Sequence, residues 1–125
     1  MSIVIITGGS RGIGAATAKA CAAHGMGVIL TYNSNPDSAD DVVASIVEGG
    51  GKAVALKLDV ADSASFPAFA DAVRAALQTT WDRTDFDALV NNAGYGNFNP
   101  IANVTEAEFD GLYDVHLKGP FFLTQ

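Results

Sequence analysis

The chain is short of basic residues, has almost no cysteine, and contains no long apolar run. Seven Lys and Arg stand against 14 Asp and Glu, a formal net charge of −7 at pH 7. Nucleic-acid phosphates and anionic membranes both call for a basic surface, so neither is an expected partner. Cys21 is the only cysteine, which excludes an internal disulfide and a Cys-rich metal site. No stretch approaches the roughly 18 apolar residues that span a bilayer. Met1-Ser2-Ile3 also lacks the basic flank of a signal peptide, so the expected location is cytoplasmic. What is present is apolar enough to fold. Of 125 residues, 49% are hydrophobic and 17% charged, which fits one domain over residues 1–125 with a packed core.

The acid is unevenly spread. Residues 1–60 carry four basic side chains (Arg11, Lys19, Lys52, Lys57) and five acidic ones, whereas residues 61–125 carry three and nine. A bound anion therefore belongs in the first half; without one, the acid serves solubility.

Apolar runs and glycines alternate along the chain. Ile3-Val4-Ile5-Ile6-Thr7 is a β-branched run ended by glycines, the pattern of a strand buried on both faces. Gly12 to His24 is alanine-rich and closes at Gly25, a usual helix stop; Cys21 takes an apolar position on it and His24 meets its dipole. Val28 to Tyr32 is a second strand, and Pro36 to Gly49 a helix with Val43, Ile46 and Val47 as its apolar stripe. Ala53 to Leu58 is a third strand. A helix from Asp62 or Ser63 follows, carrying Phe66, Phe69, Val73 and Leu77. Phe86 to Val90 is a fourth strand, and Thr105 with Glu108 three residues on forms a capping box for the last helix. This alternation predicts right-handed crossovers and a doubly wound, parallel α/β sheet.

Thr7-Gly8-Gly9-Ser10-Arg11-Gly12-Ile13-Gly14 joins the first strand to the first helix. Gly8 permits a turn closed to a residue with Cβ. Gly12 lets backbone approach a pyrophosphate, and Gly14 lets the helix pack tightly. The unpaired N–H groups at the helix start face the anion. Taken alone, the loop could equally be a glycine-rich turn with no ligand. Asn91-Asn92-Ala93-Gly94 ends the fourth strand and Asp59-Val60 the third, so all three clusters lie at carboxyl ends of strands, where open α/β sheets bind ligands.

These motifs, with Asp114-Val115-His116-Leu117-Lys118-Gly119-Pro120 and the following Phe121 to Gln125, resemble the short-chain dehydrogenase/reductase family over essentially the whole chain. The resemblance implies a Rossmann-type sheet of order 3-2-1-4 and a nicotinamide dinucleotide across the strand ends. Ser10, Arg11, Gly12 and Ile13 would hold the pyrophosphate, with Gly8 and Gly14 shaping the loop. Asp59 and Val60 would contact the adenine, and Asn91, Ala93 and Gly94 the ribose and central region. The plainer alternatives are a helix-entry carboxylate for Asp59 and turn formation and strand anchoring for Asn91 and Asn92.

An NAD site places an acid at the end of the second strand. Thr31-Tyr32-Asn33-Ser34 has none; Asn33 and Ser34 offer donors and Arg11 a positive charge, favouring NADP over NAD. The alternative for Arg11 is a solvated loop residue. The family's chemistry rests on a Ser and a Tyr-x-x-x-Lys pair, and no such pair occurs here. Catalysis by this chain alone is not expected, and nothing in it names a substrate. His116 stands where the family pattern usually has Asn, leaving it a catalytic-network position or a surface helix histidine. Pro120 deprives the His116 carbonyl of its helical donor, which predicts a kink and, by resemblance, a held water in a proton relay.

Phe121 to Gln125 is apolar and uncapped, so the sequence reads as cut after the fourth helix. The order 3-2-1-4 leaves Phe86–Val90 as an unblunted edge beside Phe109, Leu112 and Phe121 to Leu123, which favours a homo-oligomer. Two functions remain: the cofactor-binding part of an NADP-dependent oxidoreductase acting on a carbonyl/alcohol pair, or a non-catalytic nucleotide-binding or structural module.

Overall fold

Strands β1 (Ile3–Ile6), β2 (Gly27–Tyr32), β3 (Ala53–Lys57) and β4 (Ala88–Val90) form one parallel sheet in the computed structural model, which describes residues 1–125. Their order is β3-β2-β1-β4, as the resemblance implies. Ile5 sits opposite Ile29 on one side and Leu89 on the other, and Ile29 opposite Val54. Parallel neighbours cannot be joined by hairpins, so helices α1 (Gly12–Ala23), α2 (Pro36–Glu48) and α3 (Phe66–Trp81) carry the crossovers.

The period of two along each strand divides the core. Val4, Ile6, Val28 and Leu30 face α1 and α2, meeting Ala18, Ala39, Val42 and Ile46. Ile3, Ile5 and Ile29 face the other way, against Phe69, Val73 and Leu77 of α3. With both faces covered, all four β1 residues are buried.

Local chemistry sets most helix ends. Asn35 caps α2 by accepting from the Ser38 N–H at 3.1 Å, and Pro36 opens the helix. Helix α4 (Glu106–Tyr113) begins at the expected capping box: the Glu108 N–H donates to Thr105 Oγ1, and the Thr105 N–H donates to the Glu108 carboxylate at 2.9 Å. Gly25, at φ +84°, follows α1.

Four details depart from the sequence pattern. In α2 the buried stripe is Ala39, Val42 and Ile46; Val43 is half-buried and Val47 exposed, because the helix turns about 100° per residue and Val47 falls off that stripe. A 3-10 turn over Ser63–Ser65 precedes α3, which starts at Phe66 with Pro67 in its first turn. Strand β4 pairs only over Ala88–Val90. Ahead of it Asp87 takes the Ile3 N–H at 2.7 Å on its carboxylate, and Phe86 is exposed. The disturbance at Pro120 takes the form of a π turn over Asp114–Lys118, closed by the Gly119 N–H on the Asp114 carbonyl and followed by α5 (Gly119–Thr124). Gly119 is buried there, and a Cβ on it would run into the Val60 carbonyl in the turn after β3. No helix is long and apolar enough to cross a membrane.

Candidate functional site

The carboxyl ends of β1, β2 and β4 are tied together by two threonines and one asparagine. Thr7 Oγ1 accepts the N–H groups of Asn92 and Ala93, both at 3.0 Å. Asn92 Nδ2 donates to the carbonyls of Thr7 at 3.0 Å and Gly8 at 3.1 Å. The Gly8 N–H donates to Thr31 Oγ1, and the Gly9 N–H to the Thr31 carbonyl. Buried threonines are satisfied in this way, and their bonds hold the glycine turn against both neighbouring strands.

Each expected glycine has its own reason. Gly8 has φ +64°, and a Cβ on it would lie 2.8 Å from Ala93 Cα. A Cβ on Gly14 would run into the Gly8 carbonyl and come within 2.5 Å of Asn92 Nδ2. Gly12 has φ +55° with nothing within 4 Å of where its Cβ would stand, so conformation demands glycine while the approach to it stays open. Behind it α1 begins without a cap. Arg11 is extended and makes no side-chain capping bond, and no acid sits in the first turn.

A cleft of about 500 Å³ runs over these strand ends. Gly8, Ser10, Arg11, Gly12, Ile13, Gly14, Asn33, Ser34, Asp59, Val60, Ala93 and Gly94 all line it. Asn91 does not. Its Nδ2 donates to Thr124 Oγ1 at 3.1 Å, on the sheet face shared with Leu89 and α3, and Asn92 lines the cleft instead. Asp59 Oδ1 accepts the Ala61 N–H at 2.9 Å, closing a turn ahead of Asp62, which stands at the N-cap of the 3-10 turn, so Asp59 is not the helix-entry carboxylate; the residue lines the cleft. His116 lies behind the wall: its Nε2 is 2.7 Å from the Tyr95 carbonyl oxygen. The lining also takes in Thr31, Tyr32, Asn35, Ser38, Leu58, Tyr95 and Val115. Both asparagines lie past the last paired residue of β4, so strand periodicity does not separate Asn92 from Asn91. No local signal marks Tyr95 or Val115, which long-range packing brings in.

Charge around the cleft is sparse. Arg11 makes no ion pair, and the end of β2 and the start of α2 contribute no carboxylate to the lining. Further out, the Thr105 N–H holds the Glu108 carboxyl below its ordinary value, helped by the Asn99 amide. Asn99 Nδ2 also donates to the Asn103 carbonyl, so the segment between β4 and α4 is fastened to the helix.

Residues 2–125 match the family described as short chain dehydrogenase. Elsinochrome reductase 1 of Elsinoe fawcettii is 37% identical over 124 residues, 98% of this chain and 44% of that protein. A 3-oxoacyl-[acyl-carrier-protein] reductase of Synechocystis sp. is 38% identical over 98% of this chain and 47% of its own length. Among solved structures, a metagenomic short-chain oxidoreductase in complex with NADP superposes with a TM-score of 0.86 at 38% identity, covering 98% of this chain and 52% of that one. An angucycline C-6 ketoreductase with bound NADP gives 0.95 at 33% identity, covering 99% and 48%. The chain thus spans about half the length of the relatives it matches. Sequence, sheet order and glycine turn agree, and the chain belongs to the short-chain dehydrogenase family.

Proposed function

We propose that this chain binds a nicotinamide dinucleotide, NADP in preference to NAD, and forms the cofactor-binding part of an oxidoreductase acting on a carbonyl/alcohol pair. The observation that carries the reading is the uncapped start of α1, with Gly12 open in front of it and Arg11 unpaired beside it. Free N–H groups and a lone cation fit a diphosphate. The NADP held by the metagenomic oxidoreductase and the angucycline ketoreductase supports the same reading.

Ser10, Arg11, Gly12 and Ile13 would hold the pyrophosphate, Asp59 and Val60 the adenine, and Ala93 and Gly94 the central region. Arg11, Asn33 and Ser34 would bond a ribose 2′-phosphate, with no carboxylate in the lining at that strand end to repel it. Asn91 acts as a strand anchor through Thr124. The bound nicotinamide supplies or accepts the hydride; the residues here bind and orient it. A positioned proton donor is also needed, and the chain has no Tyr-x-x-x-Lys, so purified as 125 residues it is expected to show no turnover.

Titration with NADPH and NADH tests the reading. NADPH is expected to bind more tightly, and Arg11→Ala to cut that preference about tenfold, the worth of one hydrogen bond to a charged group. Equal affinity for the two, or a preference for NADH, overturns the NADP assignment.

A further inference from the structure

We propose that Phe98 is the surface on which the carbonyl substrate lies, and that this substrate is an uncharged aromatic ketone. The proposal deepens the cofactor reading above and rests on it, because the segment carrying Phe98 leaves directly from the cleft wall at Gly94 and Tyr95.

Phe98 is 101% exposed, and Ile101, three residues on, 95%. The segment that presents them is fastened, so the exposure is built in. Asn99 Nδ2 donates to both oxygens of the Glu108 carboxylate, at 3.3 and 3.2 Å, and to the Asn103 carbonyl at 3.0 Å. The Asn97 amide helps to hold the same carboxyl below its ordinary value. Glu108 is itself locked into the capping box of α4. Both neighbours of Phe98 thus answer to one carboxylate, and the ring between them stays in solvent. It also leans back along the segment: a Cβ on Gly96 would lie 3.9 Å from Phe98 Cε2. Gly96 follows Tyr95, so the ring stands next to the cleft wall. A ring held in place and uncovered offers apolar area whose ordering cost is already met before a ligand arrives.

Charge decides the kind of ligand. No charged side chain occurs from Ala88 to Thr105, and α4 then opens with Glu106 and Glu108. An anionic carbonyl compound would find no cation on this segment and two carboxylates behind it. A neutral aromatic ketone loses nothing there and gains a ring on which to stack. Tyr95, exposed and lining the cleft, adds a second ring at the end nearer the cofactor.

The test follows three ketones in the whole oxidoreductase that carries these residues. They are 1-tetralone, cyclohexanone, which lacks the aromatic ring, and 1-tetralone bearing a ring carboxylate. Phe98→Ala is expected to raise KM for 1-tetralone about three- to tenfold, the worth of one aromatic pair. KM for cyclohexanone and affinity for NADPH should stay within about twofold, and Phe98→Trp should keep the original KM for 1-tetralone. The carboxylated ketone should be used about tenfold less well than 1-tetralone itself. No loss for 1-tetralone, an equal loss for cyclohexanone, or ready use of the carboxylated ketone overturns the proposal. A fall in mass by light scattering in Phe98→Ala assigns the ring to a second copy of the chain and overturns it as well. Fluorine-19 spectra of protein labelled with 4-fluorophenylalanine give a readout without turnover, the Phe98 line being assigned by its loss in Phe98→Leu. Addition of 1-tetralone is expected to shift that line, and an unmoved line overturns the proposal. If the unsubstituted protein binds no NADPH, the cofactor reading fails by itself, and the fluorine line alone decides whether Phe98 takes the ketone.

Discussion

Between Ile3 and Leu77 lie all but one of the 22 buried residues, while the rest of the chain contributes Gly119 alone. In the first region both sheet faces are covered, by α1 and α2 on one side and α3 on the other. In the second, β4 has β1 on one side only, and Ala88, Leu89 and Val90 are half-buried. Phe109, Tyr113, Leu117, Phe121 and Phe122 are exposed on the helices that follow. An apolar hollow of about 510 Å³, walled by Leu77, Leu89 and Phe122 among others, opens beside that strand. The closed region carries the glycine turn, so most of the cleft stands on settled packing. The Gly94–Tyr95 wall belongs to the open region, and the bonds from His116 and Glu108 supply locally what burial supplies elsewhere.

Paired substitutions across the two regions should give the largest contrast. Ile29, fully buried at the centre of the sheet, is expected to cost about 2–5 kcal/mol when changed to Ala. Phe121→Ala, at 64% exposure, should cost no more than about 0.5 kcal/mol by urea unfolding. A comparable loss at both sites would mean that the second region is covered in solution.

Coverage by a second copy is the next effect expected, because an apolar edge strand beside an apolar patch tends to pair. Light scattering at micromolar concentration should give a mass above 12.9 kDa. Charging the patch with Phe121→Glu and Phe122→Glu should lower that mass towards the monomer. A monomeric mass for the unsubstituted chain removes self-association from the comparison.

The smallest effect concerns the stitch between the regions. Asp87 accepts the Ile3 N–H at 2.7 Å and also meets Arg83, which donates to the Met1 carbonyl. The Ile3 bond, aided by Arg83 against some desolvation, holds the Asp87 carboxyl below its ordinary value. The stability it contributes is complete above the ordinary carboxylate range and is lost as pH falls through the lowered folded value. Asp87→Asn should therefore destabilise slightly at neutral pH and flatten the acid limb of thermal melts taken down to about pH 3. Parallel acid limbs for the two proteins would show that this stitch adds nothing.

Much of the fold is legible because its instructions are local. The β-branched run of β1, the alanine-rich α1 ending at Gly25 and the Thr105–Glu108 box each act within a few residues, and each forms where the pattern places it. The glycine turn was legible for the same reason, since a positive φ at Gly8 and Gly12 is a demand of the backbone itself.

The remainder depends on partners far along the chain. Whether Asn91 or Asn92 reached the cleft was settled by bonds to Thr124 on one side and to Thr7 and Gly8 on the other, the latter across more than 80 residues. Both lie past the last paired residue of β4, so periodicity along the strand did not choose between them. Pro120 announced a kink, but its form as a π turn at Asp114–Lys118, the fit of Gly119 against the Val60 carbonyl and the seat of His116 against Tyr95 all involve residues brought together only in the fold. By itself the sequence determined the alternation of strands and helices, the glycine turn and the caps, because dihedral preference and periodicity are properties of neighbouring residues. Tertiary structure alone decided which side chains face the cleft and what holds its far wall, because those contacts exist only once distant strand ends meet.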